Sequence, residues 1–158
     1  MKTTKTNLFL VICVFILASC GFKVLDNKAL NNFTIRNIET TGDKRINFKI
    51  KNNILINTNE NSANQLLINI NTKKNKNIKE KNIKNEITKY ELIINTSIKF
   101  NMIEEDEKHS INFTVKGDYL VADNYSSTLN NEKKLVENLV DRIGKKILDE
   151  INFKLNDN

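Results

Sequence analysis

Residues 90–102 read YELIINTSIKFNM, and apolar or partly apolar side chains recur at every second position of this segment. Successive side chains of a β-strand point to opposite faces of the sheet, so the pattern predicts a long strand with one buried face and one largely hydrated face. Ile93 is the apolar exception on the hydrated side. The predicted buried positions are Tyr90, Leu92, Ile94, Thr96, Ile98, Phe100 and Met102.

Three further segments alternate in the same way. Downstream, a polar link at residues 104–108 leads to alternation at 111–115, which predicts an antiparallel hairpin with the first strand. Gly117 and Asp118 then predict a bulge or a bend before Tyr119. Upstream, a brief strand is predicted from Phe33 to about Gly42, and another around residues 66–70. These three segments and residues 90–102 are therefore predicted β-strands.

The C-terminal segment changes period. Apolar residues recur at i, i+3 and i+4 from Leu135 to Leu155, which predicts a helix of about 24 residues with one apolar stripe. Asn130 or Asn131 is expected to cap its start. Gly144 indicates either a close approach to the sheet or a glycine that the helix merely tolerates.

Residues 44–57 fit two structures. Asp43 is a suitable N-cap, and Ile46, Ile50 and Ile54 share one helical face, but Ile46, Phe48 and Ile50 also alternate as in a strand. The pattern alone leaves both readings open. In either case the C-terminal helix has one apolar face, and so does the antiparallel sheet. Packing these two faces together buries both, which predicts an α+β fold built as a two-layer sandwich.

The N-terminal residues predict an export signal. Lys2 and Lys5 precede an apolar run at residues 8–17, and Leu17-Ala18-Ser19-Cys20 resembles a bacterial lipobox. Ten helical residues reach about 15 Å, roughly half of the hydrocarbon thickness, so a permanent transmembrane helix is the weaker interpretation. We therefore expect a signal peptide at 1–19 and a single domain at 20–158, anchored to a membrane by lipidated Cys20. Gly21 and Phe22 after the cysteine, in place of aspartate, favour the outer membrane by resemblance to other bacterial lipoproteins.

Catalytic motifs are missing from the sequence. His109 is the only histidine, and the mature chain would keep no free thiol, so neither a common zinc site nor a Ser-His dyad is expected. The acidic residues 104–107 lack the glycine spacing of a calcium loop. The sequence thus predicts a protein that is not an enzyme and needs no cofactor. Nucleic acid is not expected as a partner either, because arginine is scarce and aromatic residues do not interleave with the lysines.

One segment has a lysine-rich composition that is typical of binding to anions. Residues 73–84 contain six lysines in twelve positions. This link between two predicted strands either attracts phosphate groups through its summed charge or is simply a soluble loop, and both interpretations remain open. The lysines are Lys73, Lys74, Lys76, Lys79, Lys81 and Lys84.

The order of elements resembles a known family. Cys20-Gly21-Phe22 and Lys23 are followed by a strand, a helix that begins at Gly42-Asp43-Lys44-Arg45, three strands and a long last helix. This arrangement is similar to the LPS-assembly lipoprotein LptE, in its short α-proteobacterial form. Tyr125-Ser126-Ser127, leading into Asn131-Glu132-Lys133-Lys134, also resembles the approach to the last helix of that family.

The resemblance implies a structure and a role. It implies a helix at about residues 44–56, and hence two helices packed on a four-stranded, mainly antiparallel sheet. It further implies a non-enzymatic lipoprotein of the periplasmic face of the outer membrane that plugs and helps assemble an LptD-like β-barrel and contacts lipopolysaccharide. The six lysines of residues 73–84 would then be the lipopolysaccharide-binding candidates. The alternative is a free-standing envelope lipoprotein that binds peptidoglycan or another envelope protein.

Overall fold

The computed structural model describes residues 33–58, 62, 64–103 and 108–156. In chain order, the elements are β1 (Thr34–Gly42), α1 (Lys44–Ile56), β2 (Gln65–Lys81), β3 (Ile87–Met102), β4 (Lys108–Leu120) and α2 (Tyr125–Asn156). The helix at residues 44–56 resolves the segment that the apolar pattern left ambiguous. Asp43 caps it, because its Oδ1 accepts hydrogen bonds from the backbone N–H groups of Arg45 and Ile46 at 3.0 Å each.

The four strands form one sheet in the order β1-β2-β3-β4. β1 and β2 are parallel and are joined through α1, whereas β2–β3 and β3–β4 are antiparallel neighbours. The predicted α+β architecture, two helices on a mainly antiparallel four-stranded sheet, is confirmed. The predicted buried face of β3 is also confirmed, since Leu92, Ile94 and Ile98 are fully buried.

Both helices pack on the same face of the sheet and close a single apolar core. The isoleucines 46, 50 and 54 of α1 are at most 2% exposed, and the stripe of α2 is buried at Leu139, Ile143, Ile147 and Ile151. Asn47 adds a polar link inside this core. Its side chain donates to the Thr41 carbonyl at 2.7 Å and accepts from the Thr72 hydroxyl at 2.8 Å, so it fastens the start of α1 to both parallel strands.

Two element boundaries differ from the sequence prediction. The lysine-rich segment is not a link or loop up to residue 84, because β2 continues to Lys81 and only residues 82–86 form the turn. Helix α2 begins at Tyr125 and not after Asn130, and the Asn124 side chain accepts a hydrogen bond from the Ser127 N–H at 2.7 Å. Asn124 therefore acts as the cap that was assigned to Asn130 or Asn131.

The two glycines singled out in the sequence also have other roles than predicted. Gly117 makes no bulge, since β3 and β4 pair without a register shift through this position. A Cβ there would lie 2.7 Å from Cδ1 of Leu135, so the glycine makes room for α2. Gly144 approaches the other helix rather than the sheet, because a Cβ would lie 2.0 Å from Oδ1 of Asn53 in α1.

Candidate binding surfaces

The lysine-rich segment forms one arm of a long β-hairpin. β2 pairs with β3 along its whole length, and the pairing shifts register between Ile78 and Lys81 just before the turn. Within the turn, Asn85 adopts a positive φ of 63°, and the Asn82 side chain accepts hydrogen bonds from the Lys84 and Glu86 N–H groups. Asparagine tolerates the left-handed conformation and readily bonds nearby backbone, which explains this turn without a glycine.

A strand conformation divides the candidate lysines that lie in β2 between the two faces of the sheet, and Lys84 lies in the turn. Lys74 and Lys76 continue the row of Ile68, Ile70 and Thr72 on the helix-covered face, whereas Lys73 belongs to the opposite, uncovered face. The structure therefore does not bring the six ammonium groups together into one phosphate-sized cluster.

On the helix-covered face, Lys74 and Lys76 converge on one carboxylate. The Glu132 side chain accepts a hydrogen bond from Nζ of Lys76 at 2.9 Å and another from the Tyr119 hydroxyl at 2.8 Å, and it lies 3.7 Å from Nζ of Lys74. Nζ of Lys76 also lies 4.1 Å from the centre of the Tyr90 ring. This cluster joins β2, β3, β4 and α2 at the hairpin end of the core.

The electrostatics of the cluster favour the charged pair. Burial alone would raise the pKa of Glu132, but the hydrogen bonds from Lys76 and Tyr119 and the charge of Lys74 hold it below its ordinary value. Burial likewise works to lower the pKa of Lys76, and the bonds to Tyr119 and Glu132 raise it instead. Burial raises the pKa of Tyr119, which keeps its hydroxyl a donor. Lys74 and Lys76 are thus engaged in holding the fold together.

The other candidate lysines have different surroundings. Lys79 pairs with Asp118 of β4, and this hydrogen bond raises the pKa of Lys79. Lys81 donates to the Asn85 side chain at 2.9 Å at the turn. Within the described part of the chain, no carboxylate pairs with Lys73, Lys81 or Lys84. These three are the members of the set whose charge is available to an anion.

The face of the sheet opposite the helices is the second candidate surface. Its central positions carry amide, hydroxyl and ammonium groups, and it forms a shallow concavity of about 410 Å³ around Lys73 and Asn95. A larger concavity of about 540 Å³ lies at the other end of the sheet, where Lys99, Lys108 and Glu39 meet Leu67. Polar residues that line these concavities include Asn69, Asn71, Asn95, Ser97, Asn112 and Thr114.

Sequence reasoning missed the partners of the lysines. Glu132 and Asp118 come from elements distant in sequence, and their approach depends on how α2 and β4 pack. The alternation of β4 places Asp118 on the uncovered face, but no face could be predicted for Lys79, because residues 73–84 were predicted as a link. His109 lies at the start of β4 and stacks on Phe100 with ring centres 5.0 Å apart.

Some predictions concern residues outside the described ranges. These are the signal peptide at 1–19, lipidation of Cys20, and the acidic residues 104–107 of the hairpin link. Among the described helices, none combines the length and apolar character needed to cross a bilayer. Likewise, no grouping of three or more metal-ligating side chains occurs in the described ranges.

Comparison with known proteins places the fold among bacterial lipoproteins. No family model matches the sequence, and no curated protein does. Rare lipoprotein B from Shewanella oneidensis is similar in structure, with a TM-score of 0.57 at 13% identity, over 75% of this chain and 96% of the other. A candidate lipoprotein from Caulobacter crescentus gives a TM-score of 0.55 at 14% identity, over 83% and 95% of the two chains.

A third structure agrees with these two. The uncharacterized lipoprotein B from Nitrosomonas europaea gives a TM-score of 0.52 at 13% identity, over 86% of this chain and 93% of the other. All three proteins are named as lipoproteins, and none is named as an enzyme. At these identities the comparisons establish a shared fold.

Proposed function

We propose that this protein is a non-enzymatic lipoprotein of the outer membrane, anchored through Cys20 on the periplasmic face. In this proposal it plugs and helps assemble an LptD-like β-barrel and contacts lipopolysaccharide during its insertion into the outer leaflet. Three features support this class of envelope protein. They are the lipobox-like residues 17–20, the resemblance of the element order to the LptE family, and the fold shared with rare lipoprotein B.

The observation that carries the proposal is the uncovered polar face of the sheet. Most domains with two helices and one sheet leave the second sheet face to solvent or to a partner. Here that face presents amides and hydroxyls in adjoining rows, and the exposed large apolar side chains on it are Leu120, at 60% exposure, and Leu67, at 37%. The lumen of a large outer-membrane barrel is polar, so a surface of this composition suits it better than it suits lipid.

The lysines of β2 supply the contact with lipopolysaccharide in this proposal. Lipid A phosphates are anions, and exposed ammonium groups attract them through salt-screened Coulomb forces. Lys73 on the uncovered face and Lys81 and Lys84 at the hairpin turn have no carboxylate partner among the described residues. We therefore assign the contact to these three, and a structural role to Lys74 and Lys76.

A mild-detergent pull-down of the lipidated, tagged protein from native outer membranes tests the barrel partnership. We expect stoichiometric recovery of a large β-barrel protein, identified by mass spectrometry. Asn112→Arg adds a bulky charge to the uncovered face and should reduce this recovery, whereas Asn138→Arg makes the same change on an exposed position of α2. Recovery of the lipoprotein alone, or with peptidoglycan-associated proteins, would contradict the proposal and support the free-standing envelope lipoprotein.

A further inference from the structure

One edge of β2 has a neighbouring strand along only the first half of its length. β1 pairs with this edge only as far as Thr72, opposite Gly42. Gly42 has a φ of +90°, and the next N–H, that of Asp43, donates the last hydrogen bond to the Thr72 carbonyl at 3.0 Å before α1 turns away. β2 itself continues to Lys81. Beyond Thr72, no described strand lies on this side of β2.

The peptide groups along this free edge can be assigned from the hydrogen bonds at its two ends. The Gln65 carbonyl accepts from the Ile103 N–H and so faces β3, whereas the Thr72 carbonyl accepts from Asp43 and faces away from β3. Peptide groups alternate in direction along a strand. The outward N–H and C=O groups beyond Thr72 are therefore those of Lys74, Lys76 and Ile78. The register shift after Ile78 ends the row.

We propose that this edge, residues 73–78, binds an extended acidic segment of a partner polypeptide as an added β-strand. Three N–H and three C=O groups supply a main-chain ladder about 20 Å long, in the lateral position that β1 occupies farther along the sheet. Six lysines and one glutamate occur in residues 73–84, and the lysines lie on both faces of the strand. Acidic side chains of the added strand would therefore meet Lys73 on the uncovered face, and on the other face Lys74 and Lys76, which share the single carboxylate of Glu132.

The same charges disfavour a second copy of this chain as the occupant. Pairing two such edges would place lysine beside lysine, and edge lysines are a common protection against self-association. Ile78, which is 52% exposed, adds an apolar contact at the end of the row. Together these features favour a partner segment that alternates carboxylates with apolar or β-branched residues.

Amide hydrogen exchange measured by NMR on the lipidated protein in detergent tests this proposal. The probe is an eight-residue blocked peptide that alternates glutamate and valine. In the free protein we expect the outward amides of Lys74, Lys76 and Ile78 to exchange faster than those of Lys73, Asn75 and Asn77. Added peptide should protect the outward set. Protection elsewhere, at the outer edge of β4 for example, or formation of a dimer without peptide protection, would overturn the proposal.

A matched pair of variants separates the backbone from the charge. Lys74→Pro and Lys74→Gln both remove the ammonium group, but only proline removes the outward N–H. We expect the proline variant to bind the peptide about tenfold more weakly than the glutamine variant. Ile78→Pro against Ile78→Val repeats the comparison at the end of the row, should the first proline disturb folding. Equal peptide binding within both pairs would overturn the proposal.

A second peptide tests whether binding needs main-chain hydrogen bonds from the peptide. It keeps every glutamate and replaces every valine by proline, so its charge is unchanged and its donors are reduced. Equal binding of the two peptides would show attraction by charge alone and would also overturn the added strand. The assay contains neither a barrel nor lipopolysaccharide, so its failure would leave the proposed function to be judged by the pull-down.

Discussion

Nζ of Lys76 and Oε2 of Glu132 lie 2.9 Å apart and connect the exposed half of β2 to the second turn of α2. The Tyr119 hydroxyl donates to the same oxygen, and the Tyr90 and Tyr119 rings stack with centres 5.5 Å apart beneath the ammonium group. A lysine chosen from the sequence as a ligand for phosphate is thus part of a four-element junction. The first prediction concerns this junction.

Replacing Glu132 by glutamine should remove part of the acid sensitivity of folding. Burial opposes the charged form, but Lys76, Tyr119 and Lys74 lower the folded pKa of Glu132 below 4.5. A carboxylate whose pKa is lowered by folding contributes its full stabilisation at pH values above its pKa in the unfolded state. This stabilisation is lost as pH falls through its pKa in the folded state. Glu132→Gln should therefore reduce the free energy of unfolding at pH 7 and have little effect at pH 2–3, as measured by urea denaturation. An equal loss at both pH values would contradict the prediction.

The buried stripe of α2 should be essential for stability. Leu139 is fully buried, so Leu139→Ala should lower the free energy of unfolding by about 2–5 kcal/mol. Leu139→Asp should prevent folding, because it buries an unpaired charge. Leu129 lies on the same helix at 45% exposure, and Leu129→Ala should change stability by less than about 1 kcal/mol. Similar thermal melts for all three variants would contradict the burial of Leu139 between α2 and the sheet.

Gly144 and Asn53 should be energetically coupled. Alanine at position 144 would place Cβ 2.0 Å from Oδ1 of Asn53, whose Nδ2 donates to Asp141 at 3.0 Å. Gly144→Ala should therefore destabilise the native protein. In an Asn53→Ala background the clash is removed, and the same change should stabilise by about 0.5–1 kcal/mol through helix propensity. A double-mutant cycle of unfolding free energies measures this change of sign, and additive effects would exclude the contact.

Lipopolysaccharide binding should depend on the lysines that have no carboxylate partner in the described chain. Changing Lys73, Lys81 and Lys84 to glutamine should weaken binding to lipopolysaccharide-containing vesicles by about three- to tenfold at ~10 mM salt, and by less at ~150 mM. The control changes Lys133, Lys134 and Lys145 on exposed positions of α2 and removes the same charge. Surface plasmon resonance compares the two triple variants. Equal losses would indicate net charge rather than a site.

The elements with the strongest periodicity were predicted correctly, since the strand at 90–102 and the helix that carries Leu139 both have buried faces at the predicted positions. The prediction failed where hydrophobic contrast disappears. Residues 73–81 have one apolar member, Ile78, so alternation could not distinguish a strand from a loop there. Pairing with β3, whose apolar row continues to Tyr90, holds this polar segment in the sheet.

The sequence by itself determined the α+β class, the two-layer packing and the buried faces, because these follow from the spacing of apolar residues along each element. It also located the basic segment. Only the tertiary structure decided which of its lysines are engaged, since Glu132 and Asp118 reach them from α2 and β4. The free edge of β2 was decided in the same way. It exists because β1 leaves the sheet at Gly42 while β2 continues, and no local pattern in either strand encodes the difference between their lengths.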